Sequence, residues 1–330
     1  MKQEQFVQQY QAHWKTVTAW LDYQQLPKKQ RANATEPALD FPRAYRQLCH
    51  QLALAQSRLY SPLLIAQLND LVTRGHHQLY TSRLHFAQHF IQFYLRDLPR
   101  LVRREWQALL LAGALFFGSL FAMLIAIQIE PELVYSVIDS AQVAGMEEMY
   151  TPARTERFGR ENEADSDVYM FGFYIKNNTS IGFQVFAGGL PFGLGSLFFL
   201  LYNGLVIGAV AGHLTQLGYI DTFWGFVAGH SAFELTAIVL SGAAGFKLAA
   251  ALIMPGRKSR LLALRDNAQD AIRLVYGAAT LFIMAAFVEA FWSSQTWIPL
   301  LVKYSVGIAL WLLVIGYFTQ LGRDEVADET

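Results

Sequence analysis

Residues 177–220 read NNTSIGFQVFAGGLPFGLGSLFFLLYNGLVIGAVAGHLTQLGYI, a run of 44 positions without a charge between Lys176 and Asp221. A helix needs roughly 20 apolar residues to cross about 30 Å of hydrocarbon. Wound as one rod, this run would be about 66 Å long, twice that depth. It must double back, and Gly188-Gly189-Leu190-Pro191 marks the place. Proline cannot continue a helix, and paired glycine permits a sharp reversal. Two spans result, 172–189 and 191–214. The fold class read from this stretch is all-α and polytopic.

Working outward, the segment between Glu105 and Glu130 is charge-free and supplies one span, 106–129. From Thr222 to Ala251 only Glu234 and Lys247 interrupt another apolar stretch, and the runs 274–292 and 299–321 supply the last two. The expectation is six spans, of which 172–189 is the shortest. Lys and Arg near span ends set orientation. Arg96, Arg100, Arg103 and Arg104 precede the first span and place the N-terminus in the cytoplasm. Residues 130–168 carry ten acidic and three basic side chains and suit the outside, whereas Arg257, Lys258, Arg260, Arg265 and Arg273 suit the inside. Three crossings between those two segments, and six in total, return the C-terminus to the cytoplasm.

The average composition, 53% hydrophobic and 16% charged, hides this segregation. Residues 1–105 hold fourteen Lys/Arg and seven Asp/Glu and read as a cytoplasmic helical bundle. Its start, Met1 to Ala12, is polar and unlike a signal peptide. Leu48, Leu52 and Leu59, then Leu64, Leu68 and Leu71, then Leu84, Phe90 and Leu95 fall at helical spacing. Pro62, Gly75 and Pro99 punctuate them, and 26–42 reads as a linker after a first amphipathic helix. Residues 130–171 read as an extracytoplasmic amphipathic helix, with Leu133, Val134, Val137, Ile138, Ala141 and Met149 on one face, followed by an acidic loop. Residues 172–322 form a five-span domain, and 323–330 a cytoplasmic tail. The lone cysteine, Cys49, cannot form an internal disulfide.

Ionisable and strongly polar groups inside a span are costly and face the protein interior or a wet cavity. Glu234 lies near the middle of the fourth apolar stretch, and His230, four residues earlier, shares its helical face. Glu289 interrupts the fifth span, while Asn177, Asn178 and Asn203 add further polar groups. One reading has these side chains bonding one another to join helices; another makes them an intramembrane site for a solute, a proton or a lipid headgroup. No metal is assigned, because His-x-x-x-Glu lacks the second histidine of the zinc-protease motif. Gly204, Gly208 and Gly212 on one span, and Gly242 and Gly245 on the next, form small-residue faces suited to close helix packing. His76 and His77 are adjacent, so they diverge on a helix. No catalytic constellation, phosphate loop or paired-cysteine site is present, and no cofactor is implied.

The stretches Asn177-Asn178, Tyr202-Asn203-Gly204 with Gly208, Gly229-His230-Ser231-Ala232-Phe233-Glu234-Leu235, Ser241-Gly242-Ala243-Ala244-Gly245 and Ala285-Ala286-Phe287-Val288-Glu289-Ala290-Phe291 together resemble the stage II sporulation protein M family. The family pattern has Pro-His-Gly ahead of the glutamate; here Gly229 and Ser231 flank His230. The resemblance implies an integral inner-membrane protein. In spore formers the namesake works with peptidoglycan-degrading partners, so the transferable role is a broader one in the envelope.

Two functional expectations follow. The first is a non-enzymatic scaffold of a cell-envelope complex. The second is a transporter or channel for a small solute, ion or lipid-linked precursor, with His230, Glu234, Asn203 and Glu289 at its polar site. An intramembrane metallohydrolase is a third and weaker reading. The expected partners are the lipid bilayer and envelope proteins, with a homo-oligomer left open. Topology accounts for the basic residues near the first span, so no nucleic acid is expected.

Overall fold

The computed structural model describes residues 2–26, 30, 37–153, 157–160 and 166–323, with the side chains of 79–87 excepted. Parts of the expected linker (27–29, 31–36) and acidic loop (154–156, 161–165), the Leu84 side chain and the tail after Arg323 lie outside the described residues. No strand occurs among those described. The chain divides into two compact units, Met1–Gln92 and Phe93–Thr330.

The first unit holds α1 (Gln3–Gln25), α2 (Phe41–Ser57) and α3 (Pro62–Gln92). The Asp40 side chain accepts from Arg43 N and caps α2. Pro62 opens α3, where a missing N–H costs nothing. Phe6, Trp14, Val17, Leu21, Leu48, Leu52 and Leu68 meet in one core. Gly75, expected to break the helical run, lies inside the continuous α3 instead. Its missing side chain admits the Tyr45 ring, since a Cβ there would come within 2.8 Å of it. Gly75 therefore serves a contact and not a break.

In the second unit a π-helical turn, Phe93–Asp97, leads into α4 (Leu98–Arg104), with Pro99 in its first turn. Then follow α5 (Trp106–Ile129), a 3-10 turn (Pro131–Ser136), α6 (Ser140–Tyr150), α7 (Asp167–Ala187), α8 (Leu194–Gln216), α9 (Ile220–Ile253), α10 (Arg260–Val288), a π-helical turn (Glu289–Ser293) and α11 (Leu300–Gln320). Among the described residues, five helices are long and apolar enough to cross a membrane: α5, α8, α9, α10 with its π-helical end, and α11. The shortest expected span, α7, is 21 residues long, about 30 Å, but carries Lys176, Asn177, Asn178, Thr179, Ser180 and Gln184.

Contacts at the two ends of the bundle show that α7 nevertheless runs its full depth. Arg103 donates to the carbonyls of Phe318 and Leu321, 2.7 Å each, so the start of α5 and the end of α11 lie at one end. An even number of crossings must separate them. At the other end the Thr222 hydroxyl donates to Tyr150 O, 2.6 Å, and Phe158 N to Ser294 O, 3.2 Å. Tyr174 of α7 donates to Gly159 O at that same end, 2.7 Å, whereas Gly189 beyond the C-terminus of α7 abuts Gly245 far along α9. The reversal expected at 188–191 is present as turns over 188–193, where Phe192 and Gly193 adopt left-handed φ of 55° and 82°. Gly188 lies against the Gly195 backbone, an approach that any Cβ would block.

The small-residue faces pack helices. Gly204, Gly208 and Gly212 of α8 oppose the Phe116, Leu120 and Leu124 carbonyls of α5, rising in step along two parallel rods. Gly242 receives Leu200 and Ala112, and Gly245 receives Ser196 and the Val185 carbonyl. The amphipathic segment after α5 is in two pieces: the 3-10 turn ends at Ser136, and Asp139 caps α6, accepting from Ala141 N and Gln142 N at 3.0 Å. Its buried face is Val134, Ile138 and Val143 against Met123, Ile127 and Ala209, while Leu133 and Ala141, expected in that face, are exposed. The break between Ser136 and Ser140 interrupts the single helical face that the spacing implied.

Lys247, the second interruption of the α9 stretch, is neutralised at the basic end. Its Nζ lies 2.6 Å from Glu105 Oε1 and 3.5 Å from Asp270 Oδ2, and Arg104 also pairs with Asp270. Lys247→Met leaves two half-buried carboxylates with one cation fewer. The expected cost is about 2 kcal/mol, below that of fully buried pairs because water reaches this end. Denaturant unfolding of the purified protein checks it, and a change under 0.5 kcal/mol would show that the network is solvent-screened.

Candidate functional site

Three sequence-selected side chains converge between α9 and α10. His230 and Glu234 lie one turn apart on α9, roughly 15–20 Å along it from Ile220. Glu289 opens the π-helical turn that ends α10. One ligand atom from each lies within 4.8 Å of the other two. His230 Nε2 is 3.7 Å from Glu234 Oε2, too far for a hydrogen bond. His230 Nδ1 is 3.2 Å from Ser293 Oγ, so the ring is fixed from the side away from the carboxylates. The π-helical turn brings this about: its extra residue swings both Glu289 and Ser293 toward α9.

Asn178 of α7 is buried and stands beside Glu289. Among the described residues, neither its Nδ2 nor Glu289 Oε2 has a hydrogen-bond partner. Asn177 is exposed and donates to Asn178 Oδ1, 3.3 Å, so it touches the group from outside. Asn203 does not join it: its amide donates to Phe199 O of its own helix, 2.7 Å. Periodicity could not reveal that, because i−4 back-bonding leaves no mark in composition.

Sequence reasoning missed a lid on this group. Phe226 lies edge-on to the His230 ring at 5.1 Å and contacts the Tyr150 ring at 5.6 Å. Gly159, at φ 75°, fits against Phe226 where a Cβ would collide. Burial, followed by the nearby Glu289 and Glu234 carboxylates, pushes the Tyr150 hydroxyl pKa up and keeps it neutral. Lys303 is 2% exposed, donates to Ser293 O at 2.9 Å and lies 5.7 Å from the Phe158 ring centre. It was the one charge in the 299–321 run, a signal available in the sequence. His213, at the end of α8, meets Glu147 of α6 at 2.7 Å.

A clamp ties the acidic segment to α7. Arg157 and Arg160 both pair with Asp167. Burial alone would raise the Asp167 pKa, but the two guanidiniums outweigh it and hold the carboxyl below its ordinary range. A depressed carboxylate contributes stability above its unfolded pKa, near about 4, and loses it as pH falls through the folded value. Asp167→Asn is therefore expected to lower the thermal midpoint at neutral pH, with the gap from wild type closing below about pH 4. A pH-independent gap would refute the ion-pair account.

Chemically, the buried Glu289 and half-buried Glu234 carboxylates facing one imidazole can hold a proton or a cation. The family model of the stage II sporulation protein M matches residues 108–294, which include His230, Glu234, Glu289 and Asn178. The chain is a member of the stage II sporulation protein M family. Like the family model, the relative found among curated proteins gives no chemistry: an uncharacterized protein of Methanocaldococcus jannaschii is 27% identical over 126 residues, covering 37% of this chain and 70% of its own. A domain of unknown function, DUF8413, matches residues 4–81 in the first unit. No solved structure matches. This family member is a multi-pass membrane protein, and its polar group lies within the family-matched helices.

Proposed function

We propose that this chain is a scaffold subunit of a cell-envelope complex in the cytoplasmic (inner) membrane, with the basic end of the bundle and both termini in the cytoplasm. The observation carrying this reading is the first unit, a helical module with its own aromatic core and an open groove of about 760 Å³. Gln11, Trp14, Lys15, Leu63, Asp70 and Arg74 are among the groove's lining residues, a mixture of apolar and charged groups that suits a protein partner. The glycine faces add support, because they fix the spans against one another and do not line a path. Crosslinking in native membranes followed by purification of the full chain is expected to recover defined partners. The exposed-residue variants Leu63→Glu and Lys15→Glu are expected to lose them. A chain that purifies alone and still complements its deletion would overturn the proposal.

The converging His230, Glu234 and Glu289 favour a second reading, a carrier of protons or small cations. Glu234→Gln would then abolish flux in proteoliposomes while circular dichroism stays unchanged; undiminished flux would dispose of it.

A further inference from the structure

We propose that His230, Glu234 and Glu289 bind one divalent metal ion, Zn2+ by the chemistry of the donors, inside the membrane unit. Three donor atoms no more than 4.8 Å apart enclose a point within about 2.8 Å of each, and small side-chain movements bring this to the roughly 2.0–2.2 Å bonds of zinc. An imidazole nitrogen with two carboxylates is a donor set for zinc and neighbouring first-row ions. The group holds no thiolate among the described residues.

Charge balance selects the oxidation state. Two carboxylates and a neutral imidazole carry two negative charges into a low-dielectric interior, and one divalent ion cancels both. A single shared proton would leave one charge behind. The surroundings also fit a ligand set. A metal-bound histidine commonly donates its other ring N–H to an acceptor, and His230 Nδ1 meets Ser293 Oγ, which leaves Nε2 turned toward the carboxylates. Glu289 is 8% exposed, and among the described residues its Oε2 is without a hydrogen-bond partner. A buried carboxylate oxygen left without a partner marks a place where a donor or ion is absent. Asn178 is buried next to Glu289.

The test uses full-length protein purified on a tag without histidines, stripped with a chelator and titrated separately with Zn2+ and Mn2+. One equivalent of Zn2+ is expected to survive gel filtration. Glu289→Gln and His230→Gln are each expected to weaken binding at least about tenfold, with elution and circular dichroism unchanged. Should either variant fail to fold, the zinc-edge X-ray absorption of loaded wild type decides: one imidazole with carboxylate oxygens supports the site. Substoichiometric zinc in wild type, undiminished affinity in folded Glu289→Gln, or an absorption spectrum lacking imidazole would overturn it.

Discussion

Gly208→Leu is expected to destabilise the membrane unit by about 3 kcal/mol or more, because it forces two helix backbones apart. Gly208 lies under the Leu120 carbonyl, and a Cβ at that position would collide with its oxygen and come within 3.0 Å and 3.1 Å of Leu120 C and Cα. Backbone cannot rotate aside as a flexible side-chain tip can. The clash would spread to Gly204 and Gly212, which make the same approach one turn away on either side. Between lipid-facing helices the attraction is mainly close van der Waals contact, so separation forfeits what holds the pair. Gly118→Leu is the control: Gly118 has nothing within 4 Å of its would-be Cβ, and its change should stay within about 0.5 kcal/mol. The midpoint of denaturation by SDS in mixed micelles reads both. Equal shifts for the two variants would refute the packing role of the α8 glycines.

That role was legible because small residues every four positions are a pattern in one dimension. So was the hairpin at Gly188–Pro191, since 44 charge-free residues cannot be one rod in a membrane. His230 and Glu234 were legible for the same reason: both lie on one helix, and the interval between them is the geometry. Glu289 could be suspected only as an interruption of its span, because its distance from His230 depends on how α10 packs on α9 and on a π-helical turn that no periodicity announces. Asn203 and Asn178 show the limit from both sides. Each is an asparagine in an apolar helix, yet one faces the buried group and the other bonds its own backbone. Gly75 was read as a break because glycine punctuates helices; the Tyr45 ring that needs the space lies thirty residues earlier and became visible only once α2 and α3 were packed. The grouping of three was hidden at sequence level for a related reason, since Glu289 comes from another helix.

Phe6→Ala is expected to cost the first unit about 3–5 kcal/mol, a large share of the stability of so small a core. Phe6 is fully buried, and its ring meets Tyr10, Trp14 and Tyr60 with centroids 5.0, 5.8 and 5.2 Å apart. Tyr60 precedes α3, so this one side chain ties α1 to the α2–α3 connection. Nearby, Gln3 spans the same gap: its Oε1 accepts from Ser61 N at 2.8 Å and its amide donates to Ser61 Oγ at 3.1 Å. Truncating Phe6 removes the apolar half of that junction and leaves a cavity that three large rings cannot easily collapse to fill. Among the described residues three helices share this core, which leaves few neighbours to compensate. Hydrogen exchange on the full chain should show lost protection throughout Gln3–Gln25 and Phe41–Ser57, with tryptophan emission from Trp14 and Trp20 shifting to the red. Protection retained in α1 of the variant would mean that this helix is held by something other than the aromatic cluster around Phe6.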